Sequence, residues 1–346
     1  MATEETTVCV TGASGFVGSR IVLDLLDRGY QVHGTVRDPS NTEKYGFLLD
    51  LPGADERLTL YRGQLLEEGC FDEAMQGCRY CIHTASPYVL DVDDPQADLV
   101  DPAVQGTENV LTSALNAGVE RVVVTSSMAA VTDEPDGDHV LTEDDWNEKS
   151  SLERNPYYLS KVEAERAAWR LAKEHDELDV VVINPYVVIG PSVSPSLNTS
   201  NQIFVDLLNK EYPGIVSLTW GMVDVRDVSL AHLEAMERDE AEGRFLCVEH
   251  TITMEEVVKL LKEHDYGEKY SLPSLNMACS VGDFAAKIFS YFQPSGTGSY
   301  LRTHLGKVPR FDSSKSRDVL DLDYRPVQES ILETVVDLEK WGHLKP

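Results

Sequence analysis

The chain has 346 residues, 42% of them hydrophobic, enough for one large α/β unit or a nucleotide-binding domain with a smaller second lobe. Lysine and arginine number 30 against 59 acidic residues, a formal net charge of −29, which argues against nucleic acid or an anionic membrane as partner, since both need basic faces. No apolar run is long enough to span a membrane, and Met1-Ala2-Thr3-Glu4-Glu5 carries neither a basic region nor an apolar signal stretch.

The first element is a strand at 6–11, read from Thr7-Val8-Cys9-Val10-Thr11. It runs into Gly12-Ala13-Ser14-Gly15-Phe16-Val17-Gly18 and a helix at 16–28. A glycine turn between strand and helix is a seat for a pyrophosphate. Glycine lets the backbone approach the ligand, and the helix start offers free N–H groups and a positive dipole end. Gly12, Ser14, Gly15, Phe16, Val17 and Gly18 are the expected contacts. A second strand, 31–36, ends in Arg37, followed by Asp38-Pro39 and by Lys44 in a helix at 41–50. A dinucleotide without a 2′-phosphate is usually held by an acid at this strand end. A planar, permanently charged guanidinium suits a phosphate instead, so Arg37 points to NADP(H). The other reading is a solvated Arg37 with Asp38 on a ribose hydroxyl.

Strands at 57–61, 79–83, 120–125 and 179–183 alternate with helices at 68–76, 98–117 and 156–175. Strands rich in Val and Ile, separated by helices, predict a doubly wound parallel sheet covered on both faces. Six scattered cysteines suit reduced thiols and a cytoplasmic protein. Cys78-Arg79-Tyr80-Cys81 has no second pair or His cluster beside it, so it reads as a helix end entering a strand, and no metal is expected. After Asn184-Pro185 the pattern loosens into segments mixing Pro, Gly, Ser and aromatic residues. Asp224 to Met236 reads as a helix returning to the first domain. The expected division is a nucleotide-binding domain of 1–189 plus about 222–250, and a discontinuous substrate lobe of 190–221 plus 251–346. Ile331 to Trp341 has the spacing of a packing helix.

Val122-Val123-Val124-Thr125-Ser126-Ser127 ends a strand in hydroxyls, at the sheet edge where ligands lie. In Tyr157-Tyr158-Leu159-Ser160-Lys161, helical spacing puts Tyr157 and Lys161 on one face. A phenol with a pKa of about 10 is a poor acid at neutral pH unless its anion is stabilised, which a neighbouring ammonium does. Each pattern alone is common, but the order glycine turn, serine strand end, tyrosine–lysine helix is specific. Ser127, Tyr157 and Lys161 are therefore the candidate catalytic residues. Charge building on a carbonyl oxygen would be met by the Ser127 and Tyr157 hydroxyls, with Tyr157 as general acid.

With these motifs the chain resembles the extended short-chain dehydrogenases/reductases, and more closely the branch of dihydroflavonol reductases, cinnamoyl-CoA reductases and related aldehyde or ketone reductases. The resemblance also rests on His83-Thr84-Ala85-Ser86-Pro87, on Asn184-Pro185-Tyr186-Val187-Val188-Ile189-Gly190-Pro191 and on Asp224-Val225-Arg226-Asp227-Val228. It implies a Rossmann-type fold, a proton-donating Tyr157, a Lys161 on the nicotinamide ribose and a carbonyl-orienting Ser127. It further implies cofactor contacts from Arg37, Lys44, Thr84, Ala85, Ser86, Thr125, Pro185, Val188 and Ser200. Gly63-Gln64-Leu65 stands where the family often has Asp-Leu, so Gln64 and Leu65 are expected near the adenine by a different contact. The stretch from Arg154 to Lys161 lacks the tryptophan and cysteine of the cinnamoyl-CoA reductase signature, which leaves the general carbonyl reductase reading.

The expected partner is a small, largely apolar or aromatic carbonyl compound, bound by a monomer or homodimer. Ser86, Tyr88, Met128, Tyr186, Ile203 and Met222 are candidate pocket walls, each equally readable as core. A nucleotide-sugar epimerase or dehydratase with retained NAD is the rival on the same fold. Dehydratases need an acid just after the serine strand, where Met128-Ala129-Ala130-Val131 is apolar. A non-catalytic NADP-sensing regulator would have no need of Tyr157 and Lys161. Phe289, Tyr291, Phe292 and Tyr300 form an aromatic stretch that reads as core or a partner surface before a lid.

Overall fold

The structure, a computed structural model, describes residues 6–86, 92–135, 137–293 and 295–345. In chain order the first part comprises β1 (Thr7–Thr11), α1 (Phe16–Asp27), β2 (Gln31–Val36), α2 (Thr42–Leu49), α3 (Ala54–Arg57), β3 (Leu58–Arg62), α4 (Asp72–Met75), β4 (Tyr80–His83), α5 (Asp101–Ala117), β5 (Arg121–Thr125), β6 (Val140–Leu141), α6 (Pro156–Glu174) and β7 (Asp179–Pro185). The second part comprises β8 (Val187–Ile189), α7 (Thr199–Leu208), β9 (Thr219–Asp224), α8 (Val225–Glu237), β10 (Gly243–Cys247), β11 (His250–Thr253), α9 (Met254–Glu263), α10 (Tyr266–Lys269), α11 (Ser280–Phe289), α12 (Ser295–His304), β12 (Arg310–Phe311), α13 (Ser314–Val319) and α14 (Val327–Lys340).

Seven strands form one parallel sheet in the order β10-β7-β5-β4-β1-β2-β3. Side chains alternate across it, as a strand's period of two requires. Val8, Val10, Val123, Val181 and Ile183 enter one core with α1 and α8. Cys9, Val122, Val124, Val180 and Val182 enter another with α5 and the C-terminal half of α6. Burial on both faces explains why these strands read as continuous apolar runs. The order reverses between β1 and β4, which creates the crevice where ligands bind in such sheets.

Three departures from the expected elements have physical causes. The helix expected at 68–76 is the single turn α4, because Gly69 at φ +71° and Glu67–Cys70 turn bonds occupy its first half. Val187–Ile189, not expected as a strand of its own, pairs with β9 in a separate three-stranded sheet of order β11-β9-β8. The C-terminal region is not confined to a second lobe: Arg310–Phe311 pairs with β6, and Leu320, Leu322 and Tyr324 lie in the core that holds α1. A third apolar cluster, around Phe204, Trp220, Val257 and Ile331, packs α7, α9 and α14 against the small sheet.

Candidate active site

Because the main sheet is parallel, β1, β4, β5 and β7 end at the same edge. The glycine turn follows β1 there. Gly12 has φ +68°, and a Cβ on it would lie 2.9 Å from the Ala85 backbone. A Cβ on Gly18 would lie 2.3 Å from the Gly12 carbonyl oxygen and 2.9 Å from Thr84 Oγ1. Both positions therefore need glycine for the turn to nest against the end of β4. Gly15 is the N-cap of α1 and supplies no capping side chain, and the first turn carries no acid. The first amides of α1 are left to an anion, with no acid opposing it. Ser14, Phe16 and Val17 surround this opening, the last two packing half-buried against the core. This cradle suits a dinucleotide pyrophosphate.

Arg37 and Lys44 are exposed just beyond β2, and Arg37 makes no ion pair among the described residues. The neighbouring Asp38 is turned onto Ser40, accepting from its N–H at 3.1 Å and its hydroxyl at 2.6 Å. Those bonds hold the Asp38 carboxyl below its usual range. This leaves a free guanidinium beside an occupied carboxylate. Gln64 and Leu65 follow β3, half-buried; the Leu65 carbonyl accepts from Asn109 of α5 at 2.7 Å.

At the end of β4, Thr84 Oγ1 donates to the Thr11 carbonyl at 2.7 Å, and the Ala85 N–H donates to Thr11 Oγ1 at 3.3 Å. Lys161 Nζ reaches this same strand end, donating to Ser86 Oγ at 2.8 Å and lying 5.7 Å from the centre of the Tyr157 ring. Tyr157 and Lys161 thus share one face of α6 and face the crevice. Burial lowers the Lys161 pKa to about 8. Beneath it, His83 is 2.7 Å from Thr11 Oγ1, and burial together with the Lys161 charge lowers its pKa to about 3.

The two serines after β5 separate. Ser126 is buried and donates to Glu165 Oε2 at 2.5 Å. Ser127 is half-buried and caps the turn Met128–Ala130, accepting from the Ala129 N–H at 3.1 Å, a bond that does not use its own proton. Thr125 is engaged below the sheet, with Oγ1 2.7 Å from His232 Nε2. Pro185 ends β7, Val188 is buried in β8 and Ser200 is half-buried at the start of α7.

The expected pocket walls divide. Met128 and Met222 are corrected to core: they are 1% and 0% exposed and have no surface left for a ligand. Ile203 is half-buried against the second core. Tyr186 meets Phe311 edge-on at 5.5 Å, directly above Gly221, where a Cβ would lie 2.4 Å from its ring. Tyr88 lies outside the described residues. Of the aromatic stretch, Phe289, Tyr291 and Phe292 are exposed rather than core, while Tyr300 is half-buried and stacks on His304 at 4.2 Å.

Two polar clusters around α6 were not expected. At its N-terminus, Asn155, buried at φ +52°, donates from Nδ2 to Asp133 at 3.3 Å and to Thr303 Oγ1 at 3.2 Å, while its N–H donates to Ser299 at 3.2 Å. Tyr158 and His304 join the same latch, oxygen to nitrogen at 3.3 Å. Further along α6, Glu165 gathers Ser126, Asn184, Trp169 and Arg244. The place of Glu165, four residues beyond Lys161, could have signalled its shared face; nothing local marks Asn155 with Thr303.

The family model described as NAD dependent epimerase/dehydratase matches residues 8–246. A cinnamoyl-CoA reductase of Medicago truncatula is 41% identical over 342 residues, covering 96% of this chain and 95% of that protein. A bifunctional dihydroflavonol 4-reductase/flavanone 4-reductase of Malus domestica is 39% identical over 282 residues, covering 79% of this chain and 80% of that protein. The yeast methylglyoxal/isovaleraldehyde reductase Gre2, solved with NADPH, superposes with a TM-score of 0.80 at 30% identity over 98% of this chain and 100% of that one. Fold, motif order and these likenesses agree: the chain belongs to the NAD dependent epimerase/dehydratase family, the extended short-chain dehydrogenases/reductases.

Proposed function

We propose that the protein is an NADPH-dependent reductase of a small, largely apolar or aromatic aldehyde or ketone. The observation that carries this reading is the convergence of the buried Lys161 and the adjacent Tyr157 on the strand end that nests against the glycine turn. When bound, the cofactor supplies a hydride to the carbonyl carbon. The glycine turn and the open start of α1 hold its pyrophosphate, and Arg37 takes the 2′-phosphate. Ser127 donates its unused proton to the carbonyl oxygen and orients it. Tyr157 gives up its phenolic proton as negative charge builds there, and the Lys161 ammonium stabilises the resulting phenolate. Lys161, bonded to Ser86 here, would hold the ribose hydroxyls of the bound cofactor.

The half-buried Tyr186 beside Phe311 supports an apolar substrate, and the turn Met128–Ala130 after Ser127 carries no acid for a dehydratase step. The names of the similar proteins speak of cinnamoyl-CoA, dihydroflavonols and small aldehydes. All six cysteines are free thiols, which suits a cytoplasmic enzyme. The test is a screen of NADPH oxidation over aromatic aldehydes, ketoesters, diketones and dihydroflavonols. Turnover of at least one class is expected; no turnover of any, with NADPH bound, would overturn the reading.

A further inference from the structure

The buried Glu165–Arg244 pair has no part in the chemistry above. Its side chains are 0% and 6% exposed, with Arg244 Nε 2.6 Å from Glu165 Oε1. Taking two charges out of water is costly, and a buried pair is weak evidence of net stability. The Glu165 contacts point instead to a geometric task. Its Oε2 accepts from Ser126 Oγ at 2.5 Å and from Asn184 Nδ2 at 2.8 Å, and its Oε1 accepts from Trp169 Nε1 at 3.2 Å. Asn184 Nδ2 also donates to the Ser127 carbonyl at 3.2 Å. Arg244 is itself fixed, donating to the Glu143 and Asp145 carbonyls at 2.9 and 2.6 Å. Glu165 is one turn beyond Lys161 and two beyond Tyr157 on the same helix. A single carboxylate therefore ties the helix carrying Tyr157 and Lys161 to the strand end carrying Ser127.

We infer that Glu165 is a positioning residue, held in place by Arg244, that sets Ser127 against α6 so that the Ser127 and Tyr157 hydroxyls meet on one carbonyl oxygen. The inference rests on the catalytic roles proposed for Ser127 and Tyr157. Glu165→Gln keeps the shape and removes the charge. It should lower kcat about 10- to 100-fold, as a misplacement of about 1 Å does, while the Kd for NADPH stays within about twofold. In a Ser127→Ala background the same change should lower kcat less than about twofold, because the group it positions is gone. Equal losses in both backgrounds, or no loss in either, would overturn the inference while Ser127 keeps its role. A silent Ser127→Ala would overturn the role of Ser127 and this inference together. Should Glu165→Gln not fold, Glu165→Gln/Arg244→Met removes both charges of the pair. It should bind NADPH normally with the same kcat loss, and wild-type kcat in it would refute the positioning role.

Discussion

The two sides of helix α6 are built differently. Toward the cofactor crevice the work is done by backbone: glycines that admit close approach, an uncapped helix start, and strand ends bonded through Thr11 and Thr84. Toward the second lobe it is done by side chains drawn from far along the chain, with Asn155, Thr303 and His304 latching the helix N-terminus. Beside that latch α11 presents Val281, Phe284 and Ile288 to solvent, whereas the sheet side is closed by apolar packing on both faces. A pyrophosphate is the same in every dinucleotide, so one local geometry suffices for it. A carbonyl substrate is met by side chains, and their positions follow from how the second lobe docks.

This contrast can be broken or sharpened by four measurements. Tyr157→Phe should cost about 10²- to 10⁴-fold in kcat with an unchanged fold; near-wild-type turnover would remove the acid from the cofactor side. Arg37→Ala should reduce the preference for NADPH over NADH in kcat/KM about 10- to 100-fold, the worth of a charge-assisted phosphate contact. An equal loss with both cofactors would return Asp38 to contention. The third measurement is the pH profile of reduction. In the proposed mechanism the Lys161 ammonium is the active form, and burial lowers its pKa to about 8. kcat/KM should therefore be flat below that pH and fall about tenfold per unit above it. A profile flat to pH 10 would separate Lys161 from the proton donor. Last, Thr303→Val removes the hydroxyl that accepts from Asn155 and contacts His304 Nδ1 at 2.8 Å. It should lower stability in urea by about 1–3 kcal/mol, leaving the Kd for NADPH unchanged.

Much of the cofactor side was legible because it obeys short-range rules. The strand–turn–helix of residues 7–27, the exposed Arg37 and the Tyr157–Lys161 spacing each sit within a few residues of one another. The different settings of Ser126 and Ser127 were not legible: Ser126 is turned inward by Glu165, 39 residues away. The pocket was read least well. Met128 and Met222 carry the same apolar character whether they line a cavity or fill a core, and only packing distinguishes the two.

Local pattern was enough for the parallel sheet, the glycine turn before α1 and the pairing of a phenol with an ammonium, because strand period, glycine freedom and helical spacing act within one or two turns of chain. Tertiary structure alone decided that β8 leaves the main sheet, that Arg244 is the counter-ion of Glu165, and that Asn155 meets Thr303 across 148 residues. Such contacts depend on where whole elements dock. Docking is set by summed burial over many apolar side chains, none of which marks its partner in the sequence.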